Sequence, residues 1–423
     1  MSFGAWAYGV ATRLLAPFVP ILLSRRARLG KDDPARLNER LSKDLPARPA
    51  GRLVWMHGAS VGESQILLGL SEKMSARAKD LFFLFTSQTL TSAQLVAGRG
   101  SPRTLHQMAP VDTPGGARRF IAHWKPDLAV FAEGEIWPNL IQVTKRSKCS
   151  MALVNARMTQ NSRSSWARWP GFSRRLFGAF DLVLPADEDT RNSIARLSGK
   201  SIPSPINLKR GLPPPPADQA LIDSFRATFL RGRKCLLAAS THEGEEDLFL
   251  DACSQLPDNT ALIIAPRHPD RGEHVGEVLA SRGLSFARRS QAEDANSDMR
   301  VLLADTIGEM GVWYRLADAV FLGGASKPDI GGHNPIEPLQ LQRPTITGPH
   351  GHNFEDLFDQ LKQDGLLEIA TSTEDLSTWF RTVLDGTTQL DPAALDAFRE
   401  NASQPLEDAA TSLLALIPDE VSQ

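Results

Sequence analysis

The sequence predicts an α/β protein built as two doubly wound parallel-sheet domains facing each other across a cleft. Three observations carry that expectation. A chain of 423 residues exceeds one ordinary hydrophobic core and suits two. Short apolar runs recur, each followed by polar caps and an amphipathic stretch, which is the pattern of βαβ units around a buried parallel sheet. Midway, the stretch from Ile202 to Pro216 holds six prolines and cannot form a regular element, and beyond it the same plan restarts.

Taken in order, the chain opens on an apolar segment from Phe3 to Leu23, interrupted by Arg13 and two prolines and followed by Arg25, Arg26 and Arg28. Residues 1–25 are expected to lie on a membrane surface or to form a shallow anchor, with the arginines holding the following domain on the cytoplasmic side. The alternative is a buried N-terminal helix packed on the core. In a first domain, residues 26–202, the runs Leu53–Met56, Leu81–Phe85, Leu128–Phe131, Met151–Val154 and Leu182–Leu184 read as strands. Residues 203–217 read as a Pro-rich linker. The second domain, 218–423, carries strands at Cys235–Ala239, Ala261–Ala265, Val301–Ala304, Ala319–Leu322 and Thr345–Thr347.

Composition narrows the function. A formal charge of -2 supplies no basic excess to neutralise phosphates along a duplex, which argues against a general nucleic-acid binder. Three widely spaced cysteines, Cys149, Cys235 and Cys253, make neither a disulfide framework nor a zinc site.

Ligands of such sheets gather beyond the carboxyl ends of the strands. There the first domain places His57-Gly-Ala-Ser-Val-Gly-Glu63, a strand, a tight loop and a helix start, with Ser60 and Glu63 in capping-box spacing. Glu63 is either a general base or only a cap. A carboxylate at a helix N-terminus has a lowered pKa, so a base there needs burial or an acidic neighbour such as Glu133 or Glu135. Those two leave an extended strand and are expected to diverge. The stretch from Asn161 to Phe177 mixes arginines with aromatics, and suits either a lipid surface or an amphipathic core helix.

The second domain restarts with a loop, Ser240-Thr-His-Glu243, again of S-x-x-E spacing. Its strongest signal is Gly331-Gly-His-Asn-Pro-Ile-Glu-Pro338, where paired glycines permit close backbone approach and a helix start offers free N–H groups and its dipole to a phosphate. Glu337 suits a hydroxyl pair such as a ribose. Pro266-Arg267-His268-Pro269 adds a cationic fork, and Asp305-Thr-Ile-Gly-Glu309 a capping pattern. Together these loops describe a nucleotide pocket.

At these residues the chain resembles the 3-deoxy-D-manno-octulosonic acid (Kdo) transferases of lipopolysaccharide assembly, inverting glycosyltransferases of the GT-B type with two Rossmann-like domains. The resemblance is carried by HGASVGES at 57–64, EGEIWPN at 133–139, NARM at 155–158, STHEGEE at 240–246, APRHP at 265–269, DTIGEM at 305–310, GGHNPIEP at 331–338 and GPH at 348–350. It implies transfer of Kdo from CMP-Kdo to a lipid A precursor, lipid IVA, at the cytoplasmic face of the inner membrane. It further implies Glu63 as proton acceptor and CMP bound by Pro266, Arg267, Ile307, Gly308, Glu309, Asn334, Pro335, Ile336 and Glu337. Arg157, Lys209, His268 and Lys327 are secondary candidates for the Kdo carboxylate or the phosphate. The scheme needs no metal or cofactor beyond the donor. Two stretches depart from the family pattern: Lys209 runs into Arg210-Gly211 rather than Phe-Asp, and the loop after Phe85 reads Thr86-Ser-Gln-Thr-Leu-Thr91.

Overall fold

The computed structural model describes residues 3–30 and 32–418. The chain divides into two compact units, one running to Leu212 and resuming at Ala402, the other spanning Pro213–Asn401.

The first unit is built on six parallel strands: β1 Leu53–His57, β2 Phe82–Ser87, β3 Thr104–Met108, β4 Leu128–Ala132, β5 Ser150–Ala156 and β6 Leu182–Pro185. Their order is β3-β2-β1-β4-β5-β6. Every residue of β1 and β4 is buried, as continuous apolar runs covered on both faces require. Trp55 of β1 packs edge-on against Phe131 of β4, ring centroids 5.0 Å apart. Side chains of this size contribute roughly 1.5–3 kcal/mol each on burial. All five predicted strands form. β3 was not predicted, because an edge strand with polar Thr104, His106 and Gln107 lacks an apolar run.

The second unit holds seven parallel strands: β7 Cys235–Thr241, β8 Ala261–Pro266, β9 Phe286–Arg288, β10 Val301–Leu303, β11 Ala319–Leu322, β12 Thr345–Thr347 and β13 Glu368–Ile369. The order is β13-β12-β11-β7-β8-β10-β9. Here too the predicted strands form, and the two missed ones, β9 and β13, are edge strands of three and two residues.

The segment expected as a Pro-rich linker is pinned at both ends. Leu208 is fully buried in the first unit, its N–H donating to Asn155 Oδ1 at 3.1 Å. In the second unit, Arg315 Nη1 donates to the Pro215 carbonyl at 2.8 Å. The expected domain running to residue 423 is also corrected. The final helix, Pro392–Leu414, carries Leu406, Ala409, Ala410 and Leu413 into the core formed by Ile66, Leu67 and Leu70, so residues from Ala402 onward belong to the first unit.

The N-terminal segment is helical over Phe3–Leu15 and Val19–Arg28, joined by a 3-10 turn at Ala16–Phe18 where Pro17 interrupts. Ala5, Val19 and Leu23 are buried, while Trp6, Leu14, Leu15, Phe18, Ile21 and Leu22 are exposed. One face therefore packs on the unit and the other is bare. The stretch from Asn161 to Phe177 divides likewise. Phe172, Leu176 and Phe177 enter the core, and Trp169 stays outside.

Candidate active site

In the first unit, strand order reverses between β1 and β4, so the loops leaving those strands open a crevice at the switch point. Glu63 stands there, in the first turn of the helix Val61–Arg77. Ser60 is the N-cap, its Oγ accepting the Glu63 N–H at 3.4 Å. In an ordinary capping box the glutamate would return to the N-cap amide. Here it reaches one residue further, accepting the Ala59 N–H, and also takes the Ser60 hydroxyl at 3.0 Å. Gly58 makes room, since a Cβ there would lie 2.9 Å from Glu63 Cβ.

With Glu63 9% exposed, burial lifts its carboxyl above the ordinary glutamate value. The Ala59 N–H opposes the rise, and the charges of Glu135 and then Glu133 add to it. Burial and acidic neighbours thus outweigh the helix-terminus effect. Glu63 is at once a cap and a carboxylate with enhanced basicity.

Glu135 behaves oppositely. Burial pushes its pKa up, but His57, Trp137 and Gln88 more than reverse this and hold it below the ordinary range. Its Oε2 accepts Trp137 Nε1–H at 2.7 Å and lies 3.2 Å from His57 Nε2. On the other side of the ring, His57 Nδ1 is 2.8 Å from Thr86 Oγ1, which accepts Trp55 Nε1–H at 2.8 Å. Because an indole only donates, the Thr86 hydroxyl proton is available to Nδ1, an arrangement that puts the imidazole proton on Nε2 facing Glu135.

Glu133 turns away through a left-handed backbone, φ +51°. Its Oε1 lies 2.7 Å from Lys209 Nζ and accepts from Asn155 Nδ2 at 3.3 Å. The two glutamates diverge as expected, but because the chain turns at Glu133 rather than because it stays extended. Lys209, expected near substrate anions, is engaged by this carboxylate. Arg157 is exposed just beyond β5, its N–H donating to the Glu133 carbonyl at 3.4 Å.

In the second unit the order reverses between β11 and β7. Loops after β7, β8, β10 and β11 enclose a cavity of about 440 Å³. Pro266, Arg267 and His268 form one wall; Ile307 and Gly308 form another; Asn334 and Glu337 close it, with Tyr314 and His333 alongside. Arg267 is fixed through its N–H to the Thr241 carbonyl at 2.9 Å while its side chain stays exposed. Burial raises Glu337 to about 7, and this carboxyl can accept from a hydroxyl pair when ionised or exchange hydrogen bonds with it when protonated. Gly331 and Gly332 have φ +86° and +83°, and a Cβ on Gly331 would come within 2.4 Å of His352 Nε2.

Three expected lining residues stand behind the wall. Glu309 is bound to Arg289 Nη2 at 2.7 Å and to the Thr306 hydroxyl, so its carboxylate shapes the loop. Pro335 and Ile336 are buried, Ile336 among core side chains. The helix that begins there, Ile336–Gln340, has five residues, too few for a substantial dipole. The Ser240-x-x-Glu243 spacing forms no cap either: Ser240 lies in β7 at φ +56°, and the helix Glu245–Cys253 starts from Gly244. Lys327 reaches instead over that turn, its Nζ 3.6 Å from where a Gly244 Cβ would stand.

What the motifs did not foretell is how these loops are tied. Both Glu245 oxygens accept the Gly324 N–H at 2.8 Å, and the same carboxylate takes the N–H groups of His242 and Ser326 at 2.9 and 3.2 Å. His242 and His333 stack, rings 5.1 Å apart, with their Nε2 atoms 2.8 Å from each other. Burial drives His333 down to about 4, so the pair is neutral at pH 7, one ring donating and the other accepting. The S-T-H-E-G-E-E run signalled a loop, but only the fold shows that its second glutamate is a clasp.

Two parallel-sheet units, one with a basic carboxylate at its switch point and the other with a nucleotide-sized cavity, define a glycosyltransferase of the GT-B fold. Solved structures agree on the fold: a glycosyltransferase from Rickettsia africae (TM-score 0.55, 12% identity, 86% of this chain and 99% of that one) and UDP-GlcNAc 2-epimerase from Neisseria meningitidis (TM-score 0.50, 12% identity, 86% and 99%). Residues 35–210 match the family model described as 3-deoxy-D-manno-octulosonic-acid transferase (kdotransferase). The 3-deoxy-D-manno-octulosonic acid transferase of Bordetella pertussis is 31% identical over 94% of both chains, and that of Haemophilus influenzae 30% identical over 80% of both. The chain belongs to the 3-deoxy-D-manno-octulosonic acid transferase family, and it is a glycosyltransferase acting on Kdo in lipopolysaccharide synthesis.

Proposed function

We propose that the protein transfers Kdo from CMP-Kdo to a lipid A precursor, lipid IVA, with inversion at the anomeric carbon. The observation that carries this reading is Glu63, a buried carboxylate whose basicity is raised by its surroundings and whose place is the switch point of its sheet. It takes the proton from the acceptor hydroxyl as that oxygen attacks the anomeric carbon. CMP departs with its ribose hydroxyls on Glu337 and its phosphate toward Arg267 and the N–H groups of the glycine-rich loops. Arg157, His268 and Lys327 are candidates for the Kdo carboxylate. Lys209, through its ion pair, holds Glu133 in place.

We also assign the cytoplasmic face of the inner membrane as the site of action. The segment Gly4–Arg28 has the length and apolarity of a membrane helix, is mostly exposed along its apolar stretch, and ends in Arg25, Arg26 and Arg28.

Thermal protection tests the donor. CMP is expected to raise the melting temperature where UDP does not, and protection by UDP alone would sink the assignment. Mass spectrometry of the glycolipid made from CMP-Kdo then identifies the acceptor and the number of sugars added.

A further inference from the structure

The first unit also holds a cavity of about 330 Å³ whose charged lining, among the described residues, is basic: Arg13, Arg40, Arg118 and Arg119. Among the described residues, no aspartate or glutamate lines it. Arg13 comes from the N-terminal helical segment, Arg40 from the short helix Leu37–Arg40, and the other two from the helix Pro114–Trp124, where Gly115 and Gly116 leave the floor open.

Arg40 is only 8% exposed, and its Nε has no hydrogen-bond partner. Its one counter-charge, Asp32 at 3.6 Å, is shared with Arg26, which hydrogen-bonds the other Asp32 oxygen. Arg119 uses Nη2 on the Leu41 carbonyl at 2.7 Å. Among the described residues, Arg13 and Arg118 make no side-chain hydrogen bond or ion pair. Four arginines thus line one cavity, three of them exposed at its rim and the buried Arg40 backed by a carboxylate it shares with Arg26. Such a site is short of anionic oxygens, and planar guanidinium forks suit phosphate.

The surroundings say what carries the phosphate. The residues that turn Arg13, Ala16 and Val19 toward the cavity turn Leu14, Leu15, Phe18, Ile21 and Leu22 outward, each more than half exposed. An apolar ridge beside an arginine pocket matches an amphiphile with a phosphate head and hydrocarbon tails. We propose that this cavity binds the phosphomonoester of a lipid whose acyl chains lie along that ridge. The inference rests on the membrane-surface reading above. The phosphate belongs either to bulk anionic lipid or to the glycolipid acceptor itself.

The test uses the full chain and the double variant Arg13→Gln/Arg118→Gln, which replaces two guanidinium groups that have no hydrogen-bond or ion-pair partner among the described residues. Vesicles of phosphatidylcholine alone are compared with vesicles carrying phosphatidic acid, a phosphomonoester, or phosphatidylglycerol, a diester, at matched surface charge. Wild type is expected to prefer phosphatidic acid by about tenfold, and the variant to lose that preference while binding phosphatidylcholine vesicles unchanged. Equal binding of wild type to the two anionic vesicles, or a preference retained by the variant, overturns the site. Failure to bind any vesicle refutes the membrane reading instead. Transfer kinetics in detergent separate the sources: a KM raised for intact acceptor but not for phosphatase-treated acceptor assigns the phosphate to the acceptor, and unchanged KM with lost vesicle preference assigns it to bulk lipid.

Discussion

Lys209 and Glu133 form an ion pair, Nζ to Oε1 2.7 Å, beside the carboxylate proposed as the base. The pair sets how much negative charge Glu63 feels. Neutralising Lys209 by substitution with Met leaves Glu133 uncompensated, so Glu63 is expected to protonate at still higher pH. The acid limb of the pH profile of kcat/KM then moves up, by about one unit at most for a single partly screened charge. Glu135→Gln removes a repelling charge and moves the limb down. Limbs that stay put in both variants would separate Glu63 from the rate-limiting proton transfer.

Substituting Glu63 with Gln keeps one amide oxygen for the Ala59 N–H and leaves the Glu63 backbone N–H on Ser60 Oγ, so the helix cap survives with only the Ser60 hydroxyl bond lost. The expected outcome is unchanged thermal protection by CMP and transfer reduced by about 10²–10⁴-fold, the usual worth of a positioned base. Full transfer activity would leave Glu63 as a cap alone.

Glu337 makes a prediction about stability with a definite sign. Its folded-state pKa of about 7 lies above the unfolded value, so the native state is penalised increasingly as pH rises from the ordinary glutamate range through neutrality. Above pH 8 the penalty is on the order of 3 kcal/mol. Glu337→Gln is therefore expected to melt higher than wild type at pH 8.5, to match it near pH 4, and to lose CMP affinity. Denaturant melts at the two pH values check the sign.

The glycines separate close approach from conformation. Gly331 and Gly365 both have positive φ, but a methyl group at Gly331 meets His352 and Asn353, whereas at Gly365 nothing lies within 4 Å. Gly365→Ala is expected to cost about 1–2 kcal/mol, the left-handed penalty alone. Gly331→Ala is expected to cost more and to weaken CMP protection as well, which paired denaturant titrations would measure.

Buried parallel strands announce themselves as apolar runs, which is why both sheet centres and the loops at their carboxyl ends were legible in the sequence, whereas the strand order that makes two of those ends switch points was not. Edge strands such as Thr104–Met108 are half polar and carry no such mark. The site was legible as motifs but not as contacts. Glu63 could be placed at a helix start from Ser60 spacing, yet its basicity depends on Glu135 and Glu133, which are some seventy residues away in sequence. Likewise the Gly-rich loop marked the nucleotide cavity, while the roles of Glu309, held by Arg289, and Glu245, clasping Gly324, depend on strand order rather than local pattern.

The return of the final helix to the first unit has a consequence for biosynthesis. Emerging from the ribosome, the unit that bears Glu63 lacks Leu406, Leu413 and Ile417 until the whole second unit has been made, so its helix Val61–Arg77 waits with part of its apolar face uncovered. The unit translated first is completed last. A premature stop or a proteolytic cut just past Asn401 would accordingly spare the second unit's cavity and strike the unit that carries Glu63, although the lost residues lie more than three hundred positions from Glu63 in sequence.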